Sequence, residues 1–150
     1  MRVVIQRVKE ASVSVQGVKI SEIQKGLLIL VGVETLDTQQ DIDWLVAKVA
    51  KLRIFEDSLG AMNVSLQDIG ADVIVVSQFT LHASTKKGNR PSFIKAAKPE
   101  VAIPLYQEFV DSLEKELDKK IQTGQFGAMM DVALINDGPV TITIDSKNKE

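Results

Sequence analysis

The sequence predicts an α+β fold: a largely antiparallel, barrel-like β-sheet with two helices packed on its outside. Three observations carry this. Short β-branched or alternating segments recur along the chain, at 2–8, 11–16, 18–24, 27–33 and 72–79, and again near the C-terminus. Two stretches, 42–52 and 105–117, instead place apolar residues at helical spacings of three and four. The chain has 150 residues, 45% apolar and 25% charged, enough for one domain with a real core. Many strands and two amphipathic helices bury their apolar surfaces best when the helices cover a sheet or partly closed barrel.

Residues 2–8 are β-branched and strand-like. In 11–16, Ala11, Val13 and Val15 face one way and Ser12, Ser14 and Gln16 the other. Gly17 turns the chain into 18–24, so the pair reads as an antiparallel hairpin with one wet face. After Lys25-Gly26, residues 27–33 are apolar almost throughout, as for a strand buried on both faces. Asp37 and Thr38 offer N-caps for a helix carrying Ile42, Leu45, Val46, Val49 and Leu52, with Trp44 at its edge. Residues 56–60 form a loop, and 64–69 fit strand or helix equally. Val73 to Val76 mark a central strand ending at Ser77-Gln78-Phe79-Thr80-Leu81. A long loop rich in Gly, Pro, Ser and Lys runs from His82 to Pro99, and the second helix starts at Pro99 or restarts at Pro104. Residues 120–123, 129–135 and 140–144 are the closing strands. Asn136-Asp137-Gly138-Pro139 lies between the last two and reads as a turn joining them. Residues 146–150 form a polar, frayed tail.

Several function classes drop out. There is no cysteine, which removes disulfides and thiolate chemistry and fits a reducing, cytoplasmic setting. The longest apolar run is far short of a membrane span, and the first residues enter a strand without signal-peptide design. G-x-S-x-G, H-E-x-x-H and P-loop patterns are missing. One histidine cannot build a histidine metal site, the acidic residues Asp41 and Asp43 read as a solvated helix face, and no cofactor or metal is expected. Net charge is −2, so any nucleic-acid contact must come from a local patch.

Two places can carry chemistry. Ser77, Gln78 and Thr80 put hydrogen-bonding side chains at the end of a buried strand, where main-chain N–H groups around Phe79 and Thr80 could form an oxyanion hole; the alternative is that the same residues only end a strand. His82, two residues after Thr80, is either its partner or a solvated loop side chain. Lys86, Lys87, Arg90, Lys95 and Lys98 form a basic run without an acid, suited to phosphates or merely to water. Phe93 within it stacks on a base or anchors the loop.

Ser77-Gln78-Phe79-Thr80-Leu81 together with Asn136-Asp137-Gly138-Pro139-Val140-Thr141 strongly resembles the D-aminoacyl-tRNA deacylase family. Gln6-Arg7-Val8, Arg53-Ile54-Phe55-Glu56-Asp57, Arg90-Pro91-Ser92-Phe93 and the segment from Thr123 to Met130 extend the resemblance over essentially the whole chain. It implies a homodimer with active sites at the interface, hydrolysing the ester between a D-amino acid, or glycine, and the 3′ end of tRNA. It implies catalytic roles for Ser77, Gln78, Phe79 and Thr80. It also implies a cis Gly138-Pro139 bond whose carbonyls enter the partner's pocket as a chiral gate, with Asn136 and Met129 at the substrate. Lys86, Lys87 and Arg90 become the tRNA-binding candidates. Thr80 as nucleophile and Thr80 as main-chain donor both stand. The alternatives are a non-catalytic RNA-end or chromatin-associated module of the same fold, and a general Ser/Thr esterase.

Overall fold

In the computed structural model, which describes residues 1–150, the sheet is organised around one long strand, β1 (Arg2–Val15). The chain turns back at Gln16 and Gly17, both with positive φ, into β2 (Val18–Ile23). It then returns as β3 (Gly26–Gly32). α1 (Gln39–Lys51) crosses to a small hairpin, β4 (Arg53–Glu56) and β5 (Met62–Ser65). A one-turn helix, α2 (Leu66–Ile69), leads to β6 (Asp72–Ser77), so the ambiguous 64–69 stretch is the end of a strand plus a capped turn. A 3₁₀ turn (Phe79–His82), the long loop, α3 (Pro99–Leu117), β7 (Gln122–Thr123) and β8 (Asp131–Asp145) complete the chain.

β8 runs antiparallel along β1 from Arg2 to Ser14 and occupies one whole edge. β2 and β3 therefore share the other edge, β3 on the N-terminal half and β2 on the C-terminal half. Beyond β3 the pairings with β6 and β7 are parallel, so the sheet is antiparallel around β1 and mixed overall. It curls until its ends meet: Gln122 of β7 accepts from Glu22 N at 2.7 Å and donates to Glu22 O at 2.6 Å on β2. The result is a nearly closed barrel. α1 and α3 cover its outside, as expected, with the short α2 as an addition.

The pleat sorts the core. Leu27, Ile29 and Val31 of β3 and Val73 and Val75 of β6 face α1 and α3 in the larger cluster. Leu28, Ile74 and Val76 face the other way, into a smaller cluster with Val8, Ala11 and Val13 inside the curled sheet. This explains why β3 reads as apolar throughout. α3 starts at Pro99 and continues through Pro104. Pro104 lies in the second turn, where it removes one intrahelical N–H bond.

The expected hairpin at Asn136–Asp137–Gly138–Pro139 is not there. β8 is one continuous strand, and the segment is a bulge within it. Gln6 pairs with Thr141 and Val8 with Asn136, so Arg7 alone stands opposite four residues, Asp137 to Val140. The Gly138-Pro139 bond is cis. Turn-forming residues mark a place where the backbone departs from the ladder, and only the pairing partner decides whether the chain also reverses.

The C-terminal tail is not frayed, and Asp41 is not solvated. The Met1 ammonium, fully buried, pairs with Asp37 and donates to Ser146 Oγ at 2.9 Å. Ser146 Oγ donates to Asp41 Oδ1 at 2.7 Å, and Lys147 Nζ reaches Asp41 Oδ2 at 2.7 Å. The two chain ends are thus tied to the start of α1. Burial alone would raise the Asp41 carboxyl, but hydrogen bonds from Lys147, Ser146 and Thr38 outweigh it and hold it well below the usual carboxylate range. An unfolded chain takes up this proton near pH 4, the folded chain only at much lower pH. The stabilisation is therefore complete above about pH 4 and is lost as pH falls below that value. Asp41→Asn is expected to cost about 2 kcal/mol at pH 7 and to flatten the acid limb of stability, measured by urea unfolding between pH 2 and 7.

Candidate active site

β6 delivers Ser77, Gln78 and Phe79 to the wall of a cavity of about 660 Å³, within the range of small-ligand sites. Val31 and Val76 form part of its floor, Phe93, Ala97 and Pro99 one side, and Phe126 to Met130 the other. Phe79 and Phe93 meet edge to face at 5.1 Å, so the loop residue Phe93 anchors the loop at the cavity itself. Tyr106 backs Phe126 at 5.9 Å and donates to Val75 O at 2.9 Å; burial pushes its hydroxyl far above the ordinary tyrosine value. Met129, 91% exposed, stands at the rim.

The backbone after β6 is tightly specified. Gln78 N donates to Val31 O at 2.7 Å, which fastens the strand end to β3. Leu81 N then donates to Gln78 O at 3.3 Å, and Ala83 N to Thr80 O at 3.0 Å. Phe79 and Thr80 open this 3₁₀ turn, so no carbonyl within the turn stands behind their N–H groups. A Cβ on Gly32 would lie 3.0 Å from Gln78 O and Leu81 Cβ, and 3.1 Å from His82 Cδ2. Glycine at that position lets the turn settle directly onto β3. Arg2 Nη1 holds it from the far side, donating to Leu81 O at 3.0 Å while its Nε pairs with Asp145.

Thr80 itself is exposed and lies just outside the cavity lining. Its hydroxyl accepts from Gln78 Nε2 at 2.5 Å. An amide N–H is a donor and cannot take the hydroxyl's proton. His82 is no partner either. It is 2% exposed, turned inward, with neither ring nitrogen hydrogen-bonded and Glu34 Oε2 3.8 Å from Nδ1. The solvated loop histidine expected from sequence is buried because the 3₁₀ turn folds the chain back over β3. Lys98 is the one charged side chain in the lining, and no carboxylate or imidazole is there. No group of three or more His, Cys, Asp or Glu is placed to hold a metal ion.

Asn136, Gly138 and Pro139 do not line this cavity within one protomer. Arg7, buried at a position where strand alternation would put an apolar residue, organises their bulge instead. Its Nε donates to Asp137 O at 3.1 Å and lies 3.3 Å from Asp137 Oδ2, while Nη1 reaches Ile54 O. Gln6 Nε2 touches Asn136 Oδ1 at 3.4 Å. Arg7 carried no assigned role in the sequence; a charge in register with Val3 and Ile5 was the available signal. Lys86, Lys87 and Arg90 are all exposed on a loop closed by two Ser84–Ser92 main-chain bonds, next to Phe93. Lys98 belongs to the basic run that the sequence marked as suited to phosphates, whereas Phe126, Ala97 and Pro99 of the cavity had no site role there.

The family described as D-Tyr-tRNA(Tyr) deacylase matches residues 4–145. The chain is 69% identical to a D-aminoacyl-tRNA deacylase of Flavobacterium johnsoniae and 60% identical to one of Bacteroides thetaiotaomicron, in each case over 100% of both chains. Among solved structures it is similar to the c-Myc DNA unwinding element binding protein, with 42% identity, TM-score 0.90 and coverage of 97% of this chain and 98% of that one. A probable eukaryotic D-amino acid tRNA deacylase shares the fold, with TM-score 0.84, 16% identity and coverage of 95% and 97%.

Gly138 has φ +126, and a Cβ there would lie 3.0 Å from Val140 Cγ2 and 3.2 Å from Arg7 Nη2. Gly138→Ala is expected to destabilise the bulge by about 1–3 kcal/mol and to loosen the Arg7 contacts. Thermal unfolding and amide exchange at Asp137 and Val140 measure this.

Proposed function

The chain belongs to the D-aminoacyl-tRNA deacylase family, and from that premise we propose that it hydrolyses the ester of D-aminoacyl-tRNA, releasing free D-amino acid and tRNA. The observation that carries the mechanism is a cavity wall with no carboxylate, imidazole or thiol, Lys98 being its one charged side chain, next to two N–H groups that the turn does not use. Water attacks the ester carbonyl. The N–H groups of Phe79 and Thr80 receive the negative charge that develops on its oxygen. The terminal ribose 2′-hydroxyl takes part in proton transfer as the 3′-oxygen leaves. An aminoacyl ester is already activated, so orientation and charge stabilisation suffice without a protein nucleophile. Thr80 acts through its main chain, and Gln78 holds its side chain in place.

Stereochemistry is read by the main chain. An enzyme that accepts many D-amino acids must sense the handedness of the α-carbon rather than the side chain. The exposed Gly138–Pro139 segment carries no Cβ at Gly138 to cover its carbonyls. In a homodimer it enters the partner's cavity, near Met129, and Asn136 shapes its approach. An L side chain collides with it, a D side chain points away, and glycine has nothing to collide. What supports the second copy is the separation of this segment from the cavity within one protomer, together with the unpaired outer edge of β8. Residues 1–150 act as one catalytic domain in the cytoplasm, where the absence of cysteine is at home. Lys98 at the cavity and Lys86, Lys87 and Arg90 on the adjoining loop meet the RNA phosphates.

The similarity to a DNA unwinding element binding protein favours a second reading, a nucleic-acid-binding module without hydrolysis. Single-turnover release of amino acid from D-tyrosyl- and L-tyrosyl-tRNA decides between them. Rapid release from the D-ester alone is expected; tRNA binding without release from either ester would establish the module. Thr80→Ala is expected to keep the single-turnover rate within about tenfold, whereas losing an oxyanion donor costs about 10²–10³. A 2′-deoxy terminal ribose is expected to slow the reaction strongly, and full activity on it would remove the 2′-hydroxyl from the mechanism.

A further inference from the structure

A second hollow, of about 410 Å³, lies at the C-terminal end of α1 and is lined by Trp44, Ala47, Lys48, Lys51, Leu52 and Arg53. Lys149, from the C-terminal tail, places its ammonium 4.6 Å from the centre of the Trp44 ring, and Lys48 places its own at 5.6 Å. Four cations from three parts of the chain thus gather at this hollow, two of them over the indole, on a protein of net charge −2. The carbonyls ending α1 attract Lys48 and Lys51 and account for those two. They do not account for Arg53 or for the tail lysine. Acids stand beside two of the four. Glu116 lies 3.5 Å from Lys51, and Asp68 feels the charge of Arg53. Arg53 donates from Nε to Asn63 O at 2.8 Å, and Lys48 and Lys149 make no ion pair. The ring face holds two ammoniums by cation–π attraction and keeps them presented to solvent.

We propose that this hollow is a second RNA contact, gripping the phosphodiester backbone of tRNA away from its 3′ end. The proposal rests on the reading of aminoacyl-tRNA as substrate. Its position sets what it can touch. The Lys51–Glu116 contact puts the hollow beside the C-terminal end of α3, whereas Pro99 and Ala102 at the other end of α3 line the cavity. At about 1.5 Å per helical residue the two sites lie about 26 Å apart. Along a duplex strand, with a charge about every 3.4 Å, that distance spans about eight phosphates. The terminal adenosine does not reach so far; the stem behind the single-stranded end does. The basic loop beside the cavity would hold the tip, and this hollow the stem, which fixes the angle at which the ester enters.

The test compares wild type with the combined variant Lys48→Ala, Lys51→Ala, Lys149→Ala, and with Lys149→Glu alone, an exposed tail position outside the buried Met1, Asp37 and Ser146 cluster. Anisotropy titrations with uncharged, fluorescently labelled tRNA are run across a salt series. The triple variant is expected to bind at least tenfold more weakly at low salt, with a salt slope smaller by about 2, and Lys149→Glu severalfold more weakly. Hydrolysis of D-tyrosyl-tRNA should lose the same factor in kcat/KM with kcat retained, while hydrolysis of D-tyrosyl-adenosine is unchanged. Wild-type affinity and salt slope in both variants would overturn the proposal, and so would an equal loss on D-tyrosyl-adenosine. A wild type that binds tRNA but releases no D-tyrosine removes the deacylase reading, while the titrations still decide the hollow.

Discussion

Every part of the barrel depends on the pairing of β1 along both of its edges. β8 accompanies it on one side for nearly its full length, and β3 and β2 divide the other. A strand hydrogen-bonded so completely has no freedom of register, because a slip of one residue would turn Val3, Ile5 and Val13 out of their cores. The largest interruption is local. At Arg7 the partner strand carries four residues against one, and the buried guanidinium absorbs the excess by binding the displaced main chain. The exposed Gly138–Pro139 segment is thus held by the same strand that organises the sheet.

The 3₁₀ turn at the cavity is positioned by a related logic. β3 and β6 are parallel and end side by side, and the bond from Gln78 N to Val31 O stops β6 where the 3₁₀ turn must begin. Gly32 removes the one Cβ that would lift that turn away from the sheet. The N–H groups of Phe79 and Thr80 are therefore placed by main-chain contacts to β3 and by the Arg2 guanidinium on Leu81 O, which suits chemistry that relies on fixed dipoles rather than on a titrating side chain. The inward-facing His82 and the amide-bound Thr80 hydroxyl agree with this, since neither can supply a base at the cavity.

The helices contribute through their ends. α3 brings Lys98 and Pro99 to the cavity, and its far end lies against the last turn of α1, where the basic hollow sits. The chain termini, bound into the start of α1 by Asp37, Asp41 and Ser146, carry Lys149 toward Trp44. A tail that looked free in isolation therefore adds both stability and charge.

Local pattern alone determined the elements and the chemistry-bearing residues of this protein. Alternation in 11–16, the apolar run of β3, the spacing along α1 and α3, and the polar end of β6 follow from short-range periodicity and composition. The two motifs at Ser77–Leu81 and Asn136–Thr141 were legible for the same reason, since a family resemblance rests on contiguous residues. Tertiary structure alone decided what depends on a partner far along the chain. Residues 136–140 became a bulge rather than a hairpin because β1 runs past them unbroken. Asp41 and His82 were buried by segments more than 40 residues away, the tail for one and β3 for the other. Arg7 gained its role from a main-chain group 130 residues distant. Hydrogen bonds and burial between such distant segments leave no periodic trace in the sequence, because each residue's own type is compatible with both outcomes until its neighbour arrives.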